Sequence, residues 1–230
     1  MIGFIGAMQI ELDGIRANMT DKRSVTVSGV EYVIGKLGKN EIVTAVCGVG
    51  KVFAAICTQT MILKFNPTLI INTGVAGGVA SGLKIGDVVI ADTVCQHDMD
   101  TSPIGDPVGL ISGINKIYFE TDKKASDALS ASLAKFGINT VRGNIATGDQ
   151  FVSTSEKKSY LKESFSAAAC EMEGGSIGHV CFVNNVPFAV LRSISDNADE
   201  GATMDFPTFA KASADGYVKV VTDFAENWME

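Results

Sequence analysis

Residues 51–78 read KVFAAICTQTMILKFNPTLIINTGVAGG, and the fold class follows from this stretch. Residues 51–65 form a largely apolar segment of helical length, and Asn66-Pro67 ends it, because a residue before proline avoids the helical region. Residues 68–73 are a short apolar run of strand length that enters Gly74-Val75-Ala76-Gly77-Gly78 directly. This glycine-rich segment is expected to be a turn in which backbone approaches a ligand. Helix, strand and glycines in this order are the unit of an α/β protein.

The pattern extends in both directions. Upstream, residues 2–5 predict a buried strand that stops at Gly6, followed by a helix over 9–19. Short strands at 25–27, 32–34 and 42–46, separated by Gly and Asn, predict an antiparallel meander and hence a mixed sheet. Downstream, strands are expected at 87–94, 141–147 and 187–194, and helices at 124–136, 155–163 and 174–183. A last helix is expected to begin at 205–207, with Phe209, Ser213, Tyr217, Val220, Phe224 and Trp228 as its inward stripe. Residues 95–121 are the least regular, carrying Pro103 and Pro107; their length and apolar content point to a lid, a subunit contact or both. With no repeat or linker in view, residues 1–230 read as a single domain.

Composition narrows the function. The chain has 230 residues, 46% of them hydrophobic, which excludes disorder. The 19 Lys+Arg and 26 Asp+Glu give a net charge of −7, spread without a basic run, which argues against a nucleic-acid partner. Five cysteines, Cys47, Cys57, Cys95, Cys170 and Cys181, form no CxxC pair and suit a reducing, cytoplasmic setting. The N-terminus lacks the features of a secretory signal, and no apolar run reaches the roughly 18 residues of a membrane span.

Several motifs fail on spacing. Gly48-Val49-Gly50 has Phe53 where a dinucleotide fingerprint needs its third glycine, and Lys51 follows too soon for a P-loop. His97-Asp98-Met99-Asp100 offers one histidine without a second or a CxxC, a poor transition-metal set. No GxSxG elbow is present, and the other histidine, His179, lies in an expected helix. The carboxylates are more informative. Glu171-Met172-Glu173 sits among small residues, read either as solvated acids at a helix start or as acids kept for a function. Asp196 follows an expected strand, where α/β folds often hold functional acids, while Glu11 alone is an ordinary helix residue and Phe151 alone reads as core.

Six motifs recur in order: Gly6-Ala7-Met8 with Glu11, Gly48-Val49-Gly50-Lys51, Asn72 to Gly78, Gly148-Asp149-Gln150-Phe151-Val152, Glu171-Met172-Glu173 and Arg192-Ser193-Ile194-Ser195-Asp196. Together they resemble the 5′-methylthioadenosine/S-adenosylhomocysteine nucleosidase family of the nucleoside phosphorylase superfamily, from Ile2 to the last helix. The resemblance implies a three-layer αβα sandwich around a mixed, partly barrel-like sheet, a homodimer, and hydrolysis of the N-glycosidic bond of 5′-thio-substituted adenosines without metal or cofactor. It implies Asp196 as the acid that protonates adenine N7, with Ser195 orienting it, and Glu11 as the base that activates water. Glu173 would hold the ribose hydroxyls with Met172 against the sugar, Arg192 would help position the water, Phe151 would stack on the purine, and the Val152 backbone would read the base edge. Glu171, Ala76 and Gly77 complete the expected substrate contacts. Met8, Val49, Met172 and Phe206 would form an apolar pocket for the 5′-substituent, with Ile104 and Pro107 reaching in from the partner subunit.

The chemistry accounts for these residue types. Breaking a C–N glycosidic bond develops positive charge on the sugar and negative charge on the base, so an acid must meet the leaving group while a base delivers water. An aspartate near its ordinary pKa of about 3.9 cannot serve as that acid at neutral pH unless burial raises it. Two departures from the family stand out: Val75 replaces a frequent serine, and Gln9-Ile10 replaces an acidic pair, leaving Glu11 as the candidate base. The segments at 96–100, 148–151 and 193–199 look most like the branch in bacteria that make menaquinone through futalosine, which implies 6-amino-6-deoxyfutalosine as a further substrate; 5′-deoxyadenosine is another expected one. The alternatives are a phosphate-dependent purine nucleoside phosphorylase and a non-catalytic nucleoside-binding protein on the same fold.

Overall fold

The structure, a computed structural model, describes residues 1–229. In chain order its elements are β1 (Ile2–Gly6), α1 (Gln9–Asn18), β2 (Thr20–Val27), β3 (Val30–Leu37), β4 (Asn40–Val46), α2 (Lys51–Phe65), β5 (Leu69–Gly78) and β6 (Val88–Gln96). After a 3₁₀ turn at Ser102–Ile104 come β7 (Tyr118–Glu120), α3 (Lys123–Lys135), β8 (Thr140–Thr147), α4 (Ser155–Phe165), β9 (Ala167–Glu171), α5 (Gly174–Asn184), β10 (Phe188–Asp196) and α6 (Ala202–Asn227).

The strands form one mixed sheet in which β5, β10, β6, β8 and β9 close on one another as a ring. From β5 the sheet continues through β1, β4, β3 and β2, and the antiparallel pairing of β2, β3 and β4 is the expected meander. Strand alternation sorts the core onto two faces. Ile5, Val43, Ile70 and Val190 pack with Ala54, Cys57 and Met61 of α2 and Ile177 and Cys181 of α5. Their chain neighbours Phe4, Ile42, Ile71 and Leu191 pack with α1, α3 and α6 through Leu12, Leu129, Tyr217 and Phe224. The sheet is thus the middle layer of three, as expected.

Helix α2 keeps its expected bounds, with Asn66 closing it in the left-handed region at φ +47° before Pro67. Elsewhere the structure corrects the reading. Residues 74–78 are no turn: β5 runs through them, pairing Gly74 with Arg192, Gly77 with both Asp196 and Cys170, and Gly78 with Ala169. Glycine looked like a chain reversal, but here it removes side chains where functional groups press on the strand. Strands β7 and β9 had no signal, because three residues are too few for a period and Ala167–Cys170 carries no β-branched residue. Helix α6 starts at Ala202 and carries Pro207 inside it; Phe209 is 37% exposed, so the inward stripe begins at Ala210 and Ser213. The loop between β6 and β7 leaves Ile104 82% exposed and contributes no residue to the cavity that holds the expected site residues.

Candidate active site

A cavity of about 270 Å³ opens at the C-terminal ends of the parallel strands β1, β5 and β10, the usual place for a ligand in an open α/β sheet. Thirteen residues expected at the site line it: Met8, Glu11, Val49, Ala76, Gly77, Phe151, Val152, Glu171, Met172, Glu173, Ser195, Asp196 and Phe206. Arg192 stays behind the wall, and Ile104 and Pro107 lie away from it. The wall also includes Ala7, Val75, Gln150 and Cys170. The first three belong to the quoted motifs; Cys170 gave no sign beyond being a small apolar residue.

Glu11 enters from the first turn of α1. Its Oε2 accepts the amides of Ala7 at 2.7 Å and Met8 at 2.9 Å, and its Oε1 accepts that of Val75 at 3.1 Å. Burial pushes its pKa up, opposed by the Arg192 charge and these three amides. A β-carbon at Gly74 would stand 2.6 Å from Glu11 Oε1, so the glycine makes the room this carboxylate occupies. The valine at 75 takes part through its amide, a contact that needs no hydroxyl.

Asp196 ends β10 and is 3% exposed. Its Oδ2 accepts from Ser195 Oγ at 2.9 Å and its Oδ1 from the Ala198 amide at 2.9 Å. Burial raises its pKa, and Asp205 and Asp199 add to the rise against those two hydrogen bonds. Gly77 clears space here, because its β-carbon would sit 2.9 Å from Asp196 Oδ1.

Glu171 and Glu173 are 8% and 6% exposed, so the reading as solvated helix-start acids is overturned. Glu171 ends β9 and is saturated: Thr147 Oγ1 and Arg192 Nη2 donate to it, as do the amides of Glu173 at 3.0 Å and Gly174 at 2.7 Å. Arg192 also donates to Asn72 Oδ1 at 2.5 Å, while Asn72 Nδ2 donates to the Ile5 carbonyl at 2.9 Å. Burial works against the charge on Arg192, but Glu171, Glu173 and Glu11 outweigh it and hold the guanidinium protonated. Glu173 precedes α5 and receives one hydrogen bond, from the Gly50 amide at 2.8 Å, with Arg192 at 3.8 Å. Burial and the neighbouring Glu171 push its pKa up to about 8.

Phe151 is 47% exposed, with its ring 5.6 Å from that of Phe206 and nearly perpendicular to it. It is a wall, not core as composition suggested. With Met8, Val49 and Met172 it adds apolar surface to the cavity beside its acids.

Buried acids whose pKa values burial raises, beside an apolar, aromatic wall, define an enzyme-type site for acid–base chemistry on a small, partly apolar molecule. The chain belongs to the phosphorylase superfamily, whose sequence model matches residues 1–226. It is similar to 5′-methylthioadenosine/S-adenosylhomocysteine nucleosidase of Shewanella loihica, 39% identical over 90% of this chain and 91% of that one. The nucleosidase of Neisseria meningitidis, solved with methylthio-immucillin-A, superposes with a TM-score of 0.95 at 33% identity, covering 99% of each chain. Futalosine hydrolase of Helicobacter pylori superposes with a TM-score of 0.94 at 36% identity, covering 99% of this chain and 97% of that one.

Proposed function

We propose that this protein is a nucleosidase that hydrolyses the N-glycosidic bond of 5′-methylthioadenosine and S-adenosylhomocysteine, releasing adenine and a 5-substituted ribose. The observation that carries the reading is the placement of Glu11 and Asp196 on one cavity, each buried and each held by short hydrogen bonds. Raised by burial, Asp196 is the acid that protonates adenine at N7 as the C–N bond breaks, and Ser195 orients it. Glu11, in its ionised form, takes the proton of the attacking water; its three amide contacts and the Arg192 charge favour that form against burial. Glu173 accepts the ribose hydroxyls and, once ionised, favours positive charge on the sugar. Arg192 acts from behind the wall, holding Glu171 and biasing its carboxylate neighbours toward charge, and in this reading it positions water through them. Phe151 stacks on the purine, and the Val152 backbone reads its edge.

Met8, Val49, Met172 and Phe206 form the flank for the 5′-substituent. The likeness to futalosine hydrolase supports a wider range that includes 6-amino-6-deoxyfutalosine, and 5′-deoxyadenosine is a further substrate in this reading. The enzyme is a single-domain homodimer in this reading: α2 presents Val52, Phe53, Ile56 and Leu63 outward, 69%, 57%, 45% and 73% exposed, an apolar face that a second copy would cover. Ile104 and Pro107 then reach the partner's cavity. The five cysteines are free and buried, in keeping with a cytoplasmic setting. Among the described residues no helix is long and apolar enough to cross a membrane.

The test is adenine release from methylthioadenosine in phosphate-free buffer against buffer with phosphate. Equal release with free methylthioribose as product is expected. Release only with phosphate would make the protein a phosphorylase, and tight adenine binding without turnover would make it a nucleoside-binding protein.

A further inference from the structure

The segment His97-Asp98-Met99-Asp100 and Lys51, which fit no metal or phosphate motif, meet beside the cavity in an arrangement that the chemistry above does not use. Lys51 Nζ pairs with Asp98 Oδ1 at 2.6 Å. The other oxygen of Asp98 accepts the Asp149 amide at 2.9 Å, and Asp149 Oδ1 accepts the Lys51 amide at 2.8 Å. Three residues from three separate parts of the chain thus close a ring. The Lys51 and Asp98 side chains are 20% and 16% exposed, so the pair is largely shielded and stronger than an ion pair open to solvent.

What the ring holds is informative. Gly50 precedes Lys51 at φ +102°, a conformation open to glycine, and its amide points at Glu173 Oε1. The Lys51 carbonyl is tied from the other side by Ser176 Oγ at 2.8 Å, in the first turn of α5. Asp149 is followed by Gln150, Phe151 and Val152, all on the cavity wall. The ring therefore joins the segment that feeds a hydrogen bond to Glu173 with the segment that carries the aromatic wall.

We propose that Asp98 is a positioning residue that, through Lys51 and Asp149, fixes the Gly50 amide on Glu173 and the 150–152 wall in one register, so that sugar and base are gripped together. This rests on the nucleosidase reading. Asp98 touches neither cavity nor substrate and acts through its two partners. The groups that face Glu173 directly are Glu171 from β9, Arg192 from β10, Glu11 from α1 and the Cys47 thiol beyond β4. Against Glu171 and burial, the Gly50 amide is one of the influences that favour the carboxylate form. Loosening that amide raises the Glu173 pKa and moves the acidic limb of kcat/KM to higher pH.

The experiment compares wild type with Asp98→Ala and Asp98→Asn on methylthioadenosine, following initial rates from pH 5 to 9 and melting temperature. Asp98→Ala is expected to raise KM about tenfold with kcat changed by less than about threefold, because ground-state grip is lost and bond-breaking groups are untouched. Its acidic limb is expected to move up by about half a pH unit or more. Asp98→Asn keeps an acceptor for the Asp149 amide and loses the ion pair, so its effect should fall between the two. A lowered melting temperature with KM and pH profile of wild type would show that the ring is structural only and overturn the proposal. If Asp98→Ala does not fold, Asp98→Asn decides by the same two readouts. If wild type itself fails to release adenine, the nucleosidase reading fails instead; adenine affinity by calorimetry then tests the ring, with unchanged affinity in both variants rejecting it.

Discussion

Glu171 and Glu173 share one buried corner and differ by one intervening methionine, yet their surroundings are opposite. Glu171 has four donors, one of them a guanidinium, and its acceptor capacity is filled from within the protein. Glu173 has one amide and a guanidinium at 3.8 Å. Glu11 and Asp196 resemble Glu173, in that burial raises each and the fold compensates only in part. Around Glu171 the corner is a satisfied ion-pair network, backed by Arg192, that holds strands together. Glu173, Glu11 and Asp196 line the same cavity with capacity left for a substrate. The contrast separates residues that maintain the fold from residues that the fold maintains at its own expense.

The largest expected effect comes from emptying the satisfied corner. Glu171→Ala removes the nearest partner of the buried Arg192 charge and should cost about 3–5 kcal/mol of stability, read by urea unfolding. Asp196→Asn, on the wall, should lower kcat for adenine release at least about a hundredfold while stability stays equal or rises, because the amide needs no burial of charge. Glu11→Gln should do likewise with adenine binding kept, measured by calorimetry beside turnover. If Asp196→Asn unfolds as readily as Glu171→Ala, the contrast collapses. Gly74→Ala probes the boundary between the regions: its β-carbon would press on Glu11 Oε1 and should cost about 1–3 kcal/mol of stability along with activity.

A further effect is in pH. Glu173 has its pKa raised from 4.5 to about 8, so the folded state holds a proton that the unfolded chain has released. Its contribution to stability is therefore complete below pH 4.5 and is lost as pH rises toward 8. Melting temperature of the ligand-free protein should fall across that window, and Glu173→Gln should flatten the fall. An unchanged slope in the variant would mean that other groups set it.

The sequence made much of this visible because period and punctuation survive folding. Residues 51–65 carried a helix with its stop, and the meander showed in short β-branched runs broken by Gly and Asn. Site motifs were visible as a set and ambiguous singly. Phe151 read as core because composition ranks an aromatic as buried, whereas it stands on a loop at the cavity, two residues after Asp149, whose amide donates to Asp98. The glycines at 74–78 read as a turn because sequence reports the missing side chain and not what fills the space; at Gly74 that tenant is Glu11, more than 60 positions away, and at Gly77 it is Asp196. The state of Glu171 was hidden for the same reason, since Arg192 and Thr147 reach it only once β8, β9 and β10 are assembled.

Closure of β5, β10, β6, β8 and β9 into a ring has a consequence for how these molecules coexist at high concentration. A strand inside a closed ring offers no open ladder of amides and carbonyls to another chain, so the exposure falls on the sheet's edges, the three-residue β7 beside β6 and the longer β2. There the chain is exposed along nearly its whole length, is broken by an irregularity between Thr20 and Arg23, and carries Asp21, Lys22 and Arg23 together. Charge and a kink at that edge disfavour strand-to-strand stacking, the route by which such sheets aggregate.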